Sequence, residues 1–242
     1  VLNWRNEWDR AKALAQARGS RPFVTATFAV SRDGCLSGKQ GEPTLISDQA
    51  AMEMTHALRA LHDVVLVGVG TVLSDDPLLT TRLVAGPSPR RVVLDSMLRT
   101  PVTARVLTAR GKAPLIVGTT AAEADRVNAL REAGADVTLL EPSPDGVSLQ
   151  ALLSHLAGLG LGSVMVEGGA TVLKSFFSGR WVDFVCVTES PLLLANPRAV
   201  RLDDTVSSTL AKWPAASVEQ MGPDLIRAGP YAARQWAGKG LT

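Results

Sequence analysis

The 242-residue chain is 46% hydrophobic with a formal net charge of +2, enough apolar material for a substantial core and too small a charge excess for a nucleic-acid footprint. It has one Tyr and five Phe, so few rings on which bases could stack, and its 25 basic residues are scattered rather than interleaved with aromatics. The two cysteines, Cys35 and Cys186, lie far apart without a C-x-x-C partner, which argues against a zinc site or a disulfide framework, and no stretch reaches the roughly 18 apolar residues of a membrane span.

Trp4, Trp8, Ala11, Leu14, Ala15 and Arg18 recur at helical spacing before Gly19, which predicts an amphipathic helix over residues 4–18 whose two tryptophans dock on the body. Residues 22–31 (PFVTATFAVS) are β-rich and run into Arg32-Asp33-Gly34, the mark of a strand with a turn at its carboxyl end. The polar, glycine-bearing stretch from Cys35 to Leu45 reads as a loop and a candidate lid. Ser47-Asp48 then caps a helix from about Gln49 to His62. From Asp63 to Thr71 the chain is apolar without alternation, the pattern of a central parallel strand, here ending in glycines. The same style recurs at 91–95, 114–118 and 163–167, and helical segments near 121–133 and 148–158 flank a short strand at 137–140. Strands alternating with helices imply βαβ units and one sheet covered on both faces.

Val164-Met165-Val166-Glu167-Gly168-Gly169-Ala170-Thr171-Val172-Leu173 is the stretch around which the chain is organised. An apolar run passes through an acid and two glycines into an amphipathic segment reaching about Phe177, the sequence form of a strand, a tight turn and a helix N-terminus. Such an N-terminus offers unpartnered N–H groups and a positive dipole end, and a second glycine beyond the one a turn requires fits the close approach of a phosphate. The segments 181–188, 217–221 and 224–228 follow without intervening helices, which predicts an antiparallel hairpin edge. The expected organisation is one domain, 1–242, with a helical arm at 1–20, a core at 21–228 and an irregular tail at 229–242.

Several chemistries are excluded. Gly68-x-Gly70 lacks the third glycine of a dinucleotide fingerprint, having Leu73 there, and no acid closes a strand about 20 residues later. Neither G-x-x-x-x-G-K-[ST] nor G-x-S-x-G occurs. His56, His62 and His155 have no metal-ligand spacing and read as structural. What remains is a set of strand carboxyl ends carrying Asp33-Gly34, Gly70-Thr71 with Asp75-Asp76-Pro77, Asp95-Ser96, Thr119-Thr120 and Glu167-Gly168-Gly169. In an open α/β sheet these ends converge on one crevice. Asp75 and Asp76 also suit a helix cap or proline turn, and Asp95 the fixing of its own loop.

Together, Asp33-Gly34, the run from Val67 to Pro77 with Leu79 and Arg82, Val93-Leu94-Asp95-Ser96, Val166-Glu167-Gly168-Gly169-Ala170 and Val182-Asp183 resemble the reductase domain of riboflavin biosynthesis over residues 21–228. The resemblance implies a dihydrofolate-reductase-like α/β fold: a central, mostly parallel twisted sheet, helices on both faces, and an antiparallel C-terminal edge. It implies NADPH as cofactor, and as reaction the conversion of the ribosylamino side chain of an aminopyrimidine 5′-phosphate to ribitylamino. It puts Thr71, Asp75, Ser96 and the turn Gly168, Gly169, Ala170, Thr171, Val172 and Leu173, continuing to Ser175, on the cofactor side. Arg59, Leu79, Arg82 and Glu167 fall on the substrate side, with Asp75 and Glu167 as catalytic residues and no metal. Two arginines suit a phosphate, and a carboxylate accepts from the pyrimidine's amino and ring N–H groups. Ser96, Arg99 and Thr119 are candidates near the cofactor's 2′-phosphate, and Arg82 has the alternative of pairing with Asp75 or Asp76.

The implied partners are a small-molecule substrate and a second copy of the chain in a homodimer, with no nucleic acid and no membrane, in the cytoplasm. Thr27 stands where many bacterial members have lysine, and Leu45 where an aromatic often precedes the lid's Ile-Ser/Thr, both on the pocket side. The H-x-E and P-C-x-x-C motifs of the zinc deaminase fused to many bacterial members do not occur in these residues. A pterin or folate reductase on the same fold, or a degenerate nucleotide-binding paralogue, remains an alternative, and the pyrimidine's deamination state stays open.

Overall fold

In the computed structural model, which describes residues 3–19, 21–39, 44–144 and 146–231, the N-terminal periodicity forms α1 (Asn3–Arg18) and the first β-rich run forms β1 (Phe23–Val30). Then come β2 (Cys35–Lys39), α2 (Gln49–Leu61), β3 (Val64–Gly68), α3 (Val69–Asp75) and β4 (Arg90–Leu94). The single turn α4 (Arg105–Thr108) leads to β5 (Leu115–Thr119), α5 (Ala124–Glu132) and β6 (Asp136–Leu140). A short hairpin, β7 (Pro142–Ser143) and β8 (Gly146–Val147), precedes α6 (Leu149–Gly158), β9 (Ser163–Gly168), α7 (Ala170–Ser178) and β10 (Phe184–Glu189). Last are β11 (Ala199–Arg201), α8 (Asp204–Lys212), β12 (Ser217–Met221) and β13 (Asp224–Pro230).

A 9-stranded sheet runs in the order β12-β13-β10-β1-β9-β3-β4-β5-β6. Neighbours from β10 to β6 are parallel, and the β12–β13 hairpin is antiparallel. The central strands are buried on both faces, which is why they read as unbroken apolar runs. Val64, Leu66, Val164 and Val166 pack against α6, α7 and α8 on one face. Val65, Val67, Val93 and Ile116 pack against α3, α4 and α5 on the other. That second face continues under α1 and α2, where Trp4, Trp8, Met54 and Leu58 meet Phe23, Met165 and Phe184. The two tryptophans are thus core side chains. Among the described residues no helix is long and apolar enough to cross a membrane, and both cysteines are free and buried.

Four expectations are corrected. Cys35–Lys39 is not loop: it pairs antiparallel with β11, a partner too distant in sequence to leave a local signal. Residues 40–43 of the proposed lid lie outside the described residues. The strand reading to Thr71 overshoots, because extended backbone ends at Gly68, which caps α3. The 181–188 segment is not itself the edge: β10 runs parallel to β1 on one side and antiparallel to β13 on the other, and α8 intervenes before the β12–β13 hairpin that completes the antiparallel edge. Helix α8 hides in a Ser/Thr-rich stretch, yet Asp203 caps it by accepting from Thr205 N at 2.9 Å and only Val206 and Leu210, one turn apart, are buried. Finally, order extends past residue 229, with Tyr231 edge-on to Phe177 at 5.1 Å between centroids. Residues 232–242 of the proposed irregular tail lie outside the described residues.

His62 at the end of α2 illustrates how polar groups enter this core. Its Nδ1 donates to Leu58 O at 2.7 Å, and its Nε2 accepts from Thr25 Oγ1 at 2.8 Å. Thr25 Oγ1 accepts in turn from Trp8 Nε1 at 3.1 Å. Burial pushes the pKa of His62 down to about 4. A folded value below the unfolded one of about 6.5 means the neutral ring's contribution is intact above that pH and is lost as pH falls toward the folded value. The expected outcome is an unfolding free energy, measured in urea, that drops by up to roughly 3 kcal/mol between those pH values through this residue. His62→Gln flattens the drop; an equally steep profile in that variant rejects the assignment.

Candidate active site

The chain leaves β3 through α3 toward one face of the sheet and leaves the adjacent β9 through α7 toward the other. Two helix N-termini therefore open on one crevice at the strands' carboxyl ends, the switch-point position where open α/β sheets bind ligands. A cleft of about 480 Å³ lies between the ends of β1, β9 and β10 and the β2–β11 ribbon. A second cavity of about 810 Å³ extends toward Ser96, Arg99 and Trp181. Gly68, Gly70, Thr171 and Val172 line both, so the two cavities adjoin at the helix starts.

Glu167 owes its position to a bulge. Leu66 of β3 pairs with Val166 and Val67 with Gly168, leaving Glu167 as the extra residue, which re-aims its side chain. Its carboxylate meets Arg59 of α2 in a two-pronged pair, Nε to Oε1 at 2.5 Å and Nη2 to Oε2 at 2.7 Å. Arg59 Nη1 also donates to Thr80 O at 2.9 Å. Burial works against the Arg59 charge, but the Glu167 carboxylate more than offsets it and holds the guanidinium pKa above its ordinary value. Arg59 lines the cleft but spends three of its five N–H donors on Glu167 and Thr80, so of the two expected arginines it is the one already paired within the protein.

Arg82 is the cation left over. No described residue pairs with its guanidinium, and it lines the cleft. Burial, then Arg59 and Arg105, lower its pKa, yet arginine stays charged at any ordinary pH. Its alternative partners are otherwise engaged: Asp76 Oδ1 accepts from Arg105 N at 2.7 Å and Asp75 Oδ1 from Ser74 Oγ at 2.8 Å.

Gly168 and Gly169 have φ of +118° and +39°, so the turn itself calls for both glycines and their pairing is not a signature of phosphate. Gly169 caps α7: its carbonyl accepts from Leu173 N at 3.0 Å, which places Ala170, Thr171 and Val172 in the first turn, ahead of the intrahelical ladder. A Cβ at Gly68 would stand 2.7 Å from Val172 Cγ2, and one at Gly169 3.2 Å from Thr71 Oγ1, so these glycines let α3 and α7 start side by side. A Cβ at Gly70 would meet nothing within 4 Å.

Of the remaining expected residues, Thr71, Asp75 and Leu173 line the cleft, as do Thr27 and Leu45, while Ser96, Arg99 and Ser175 line the second cavity. Leu79 does not reach the cleft: it is 2% exposed, at φ +53°, packed into the α3–α5 core because an apolar side chain there anchors the loop from below. Thr119 is buried and donates to Ser96 O at 3.0 Å, supporting that residue rather than facing the cavity. Asp95 fixes its own loop, accepting from Thr100 N at 2.6 Å and Thr100 Oγ1 at 2.7 Å. Asp33 is likewise a tether and not part of the crevice. It accepts from Ser31 Oγ, Leu194 N and Ala195 N, and these bonds, the Ser31 one foremost, hold its pKa down at about 2. His56, read from sequence as structural, lines the cleft at 3% exposure, and its position one turn before Arg59 on α2 is the signal that could have found it.

With the geometry in hand, the profile of the RibD C-terminal domain family matches residues 22–227. The 2,5-diamino-6-ribosylamino-4(3H)-pyrimidinone 5′-phosphate reductase of Methanothermobacter thermautotrophicus is 37% identical over 188 residues, covering 76% of this chain and 84% of that protein. The protein of the same name from Archaeoglobus fulgidus is 32% identical over 212 residues, covering 84% of this chain and 94% of its own length. The crystal structure of the Thermotoga maritima diaminohydroxyphosphoribosylaminopyrimidine deaminase/5-amino-6-(5-phosphoribosylamino)uracil reductase superposes with a TM-score of 0.71 at 25% identity, over 91% of this chain but only 60% of that one.

The Arg59–Glu167 pair generates a direct test. Its side chains are only 10% and 12% exposed, so Glu167→Ala strands a charge with little access to water. A loss of about 3 kcal/mol in urea unfolding is expected, with Glu167→Gln losing less because it keeps an acceptor. Wild-type stability in the alanine variant would contradict the internal role of the pair.

Proposed function

The chain belongs to the RibD C-terminal domain family and to the riboflavin-pathway reductases within it, and from that premise we propose that it is an NADPH-dependent reductase acting on 2,5-diamino-6-ribosylamino-4(3H)-pyrimidinone 5′-phosphate. The observation that carries this reading is the pair of cavities that adjoin at two helix N-termini, with space for a dinucleotide on one side and a second ligand on the other. The N–H groups of Ala170, Thr171 and Val172 suit a pyrophosphate, and the open space at Gly70 supplies room for its approach. Ser96, Arg99 and Ser175 suit the adenosine end, with Arg99 the cation for a 2′-phosphate. When bound, NADPH supplies the hydride for the opened ribose carbon.

The chain's own task is to hold the two reactants in register. Glu167, already bound to Arg59, keeps lone pairs that can accept from the pyrimidine's amino and ring N–H groups. Thr27 presents a neutral hydroxyl that donates or accepts, where a lysine would only donate, and this suits a ring still bearing its 2-amino group. Arg82 suits the 5′-phosphate, a feature that favours a phosphorylated pyrimidine over a pterin or folate. Asp75 faces the cleft beside Thr71 as the candidate for ordering the cofactor-side wall. A homodimer is part of the proposal, with β12 as an open sheet edge and its Val218 58% exposed.

Two substitutions test the two ends of the groove separately. Gly70→Val fills the junction while improving helix propensity in α3, so NADPH affinity is expected to fall roughly tenfold or more with no loss of thermal stability. Gly169→Val is less informative, because its φ of +39° strains any side chain. Unaltered NADPH binding in folded Gly70→Val contradicts the groove as the cofactor path. In Arg82→Ala, KM for the pyrimidine phosphate is expected to rise roughly ten- to a hundredfold, with NADPH affinity within about twofold of wild type. Separate titrations of the two ligands decide this, and a loss confined to the cofactor opposes the phosphate assignment.

A further inference from the structure

We propose that His56 is the positioning residue for the substrate phosphate: its ring holds the main chain at residues 82–83 so that the Arg82 guanidinium faces the cleft. The inference rests on the reading of Arg82 as the phosphate cation. The segment between α3 and β4 has no regular structure, and α2 grips it through two side chains one turn apart. Arg59 Nη1 donates to Thr80 O at 2.9 Å. His56 Nδ1 accepts from Arg82 N at 2.9 Å and from Leu83 N at 3.3 Å. Two successive main-chain N–H groups thus converge on one imidazole lone pair, an arrangement that suits an anion or a strong acceptor. Leu79, buried at φ +53°, pins the same segment from the core side.

This geometry dictates the state of the ring. A lone pair at Nδ1 requires the proton on Nε2, so the 3.4 Å approach of Arg59 Nη1 to Nε2 is a contact between donors and not a hydrogen bond. An imidazolium would lose the acceptor and add a third positive charge beside Arg59 and Arg82. Burial first, then those two arginines, push the His56 pKa down to about 4, with Glu167 acting weakly in the opposite sense. Above that pH the clamp is closed; as pH falls through it the clamp opens and the phosphate cation is no longer aimed.

The test uses the full chain as wild type, His56→Ala, His56→Asn, Arg82→Ala and the His56→Ala/Arg82→Ala double variant. KM for 2,5-diamino-6-ribosylamino-4(3H)-pyrimidinone 5′-phosphate, the dissociation constant of NADPH, and hydrogen exchange at the Arg82 and Leu83 amides are measured. In His56→Ala the expected result is a roughly tenfold rise in KM, a comparable acceleration of exchange at both amides, and NADPH affinity within about twofold. His56→Asn, whose Oδ1 replaces Nδ1 as acceptor, restores KM and protection without titrating. Because His56 acts through Arg82, His56→Ala adds less than about twofold in the Arg82→Ala background. Unchanged amide protection, a wild-type KM in His56→Ala, multiplicative effects in the double variant, or equal loss of both ligands each overturns the proposal. Should His56→Ala not fold, the comparison of wild type with His56→Asn decides: a wild-type KM that climbs more steeply than the variant's as pH falls to about 4 supports the clamp, and parallel profiles refute it. If Arg82→Ala leaves KM unchanged, the phosphate reading fails on its own, while amide exchange still judges the clamp.

Discussion

The ion pair between Arg59 and Glu167 is the constraint from which the cleft is built. It ties α2 to the carboxyl end of β9 and, through Thr80 O, to the segment that carries Arg82. A carboxylate and a guanidinium this buried are costly to hold apart, so removing either partner costs more than the pair contributes as a unit. The bulge at Glu167 exists in the same frame: a regular β9 would turn this side chain away from α2, and the helix would lose its attachment at the mouth of the cleft.

The second constraint is the divergence of α3 and α7 from neighbouring strands. Their starts are crowded, with a Cβ at Gly68 or Gly169 reaching a side chain of the other helix. Crowding is what brings the starts of both helices, with their unpartnered N–H groups, to one crevice. Gly70 stands clear of this packing, since a Cβ there would meet nothing within 4 Å.

The layered α/β architecture was legible because its strands are buried on both faces and its helices are amphipathic; Val64–Gly68 and Ser163–Gly168 announce themselves without any tertiary information. What escaped depends on partners remote in sequence. Strand β2 is polar and pairs with β11 across the chain, and β10 takes a parallel place beside β1 that no local pattern specifies. In the site, residue types identified Glu167, Arg59 and Arg82 as a polar set, but not that two of the three neutralise each other. Leu79 shares a motif with Arg82 yet points into the core. A motif records neighbours in sequence, whereas in the structure Leu79 packs into the core and Arg82, three residues on, lines the cleft.

Helix α2 concentrates this ambiguity. Ala51, Met54 and Leu58 pack into the core, while Met52, Thr55, His56 and Arg59 line the cleft. Its polar stripe therefore faces a cavity rather than bulk water, and periodicity alone cannot distinguish the two. The presence of a histidine and an arginine at i and i+3, both under a tenth exposed, is what separates them in the structure. Buried polar side chains on a helix must spend their hydrogen bonds on something, and here they spend them on the main chain of the segment opposite. The same turn of helix that closes the core thereby sets where the one unpaired cation of the cleft can stand among the described residues.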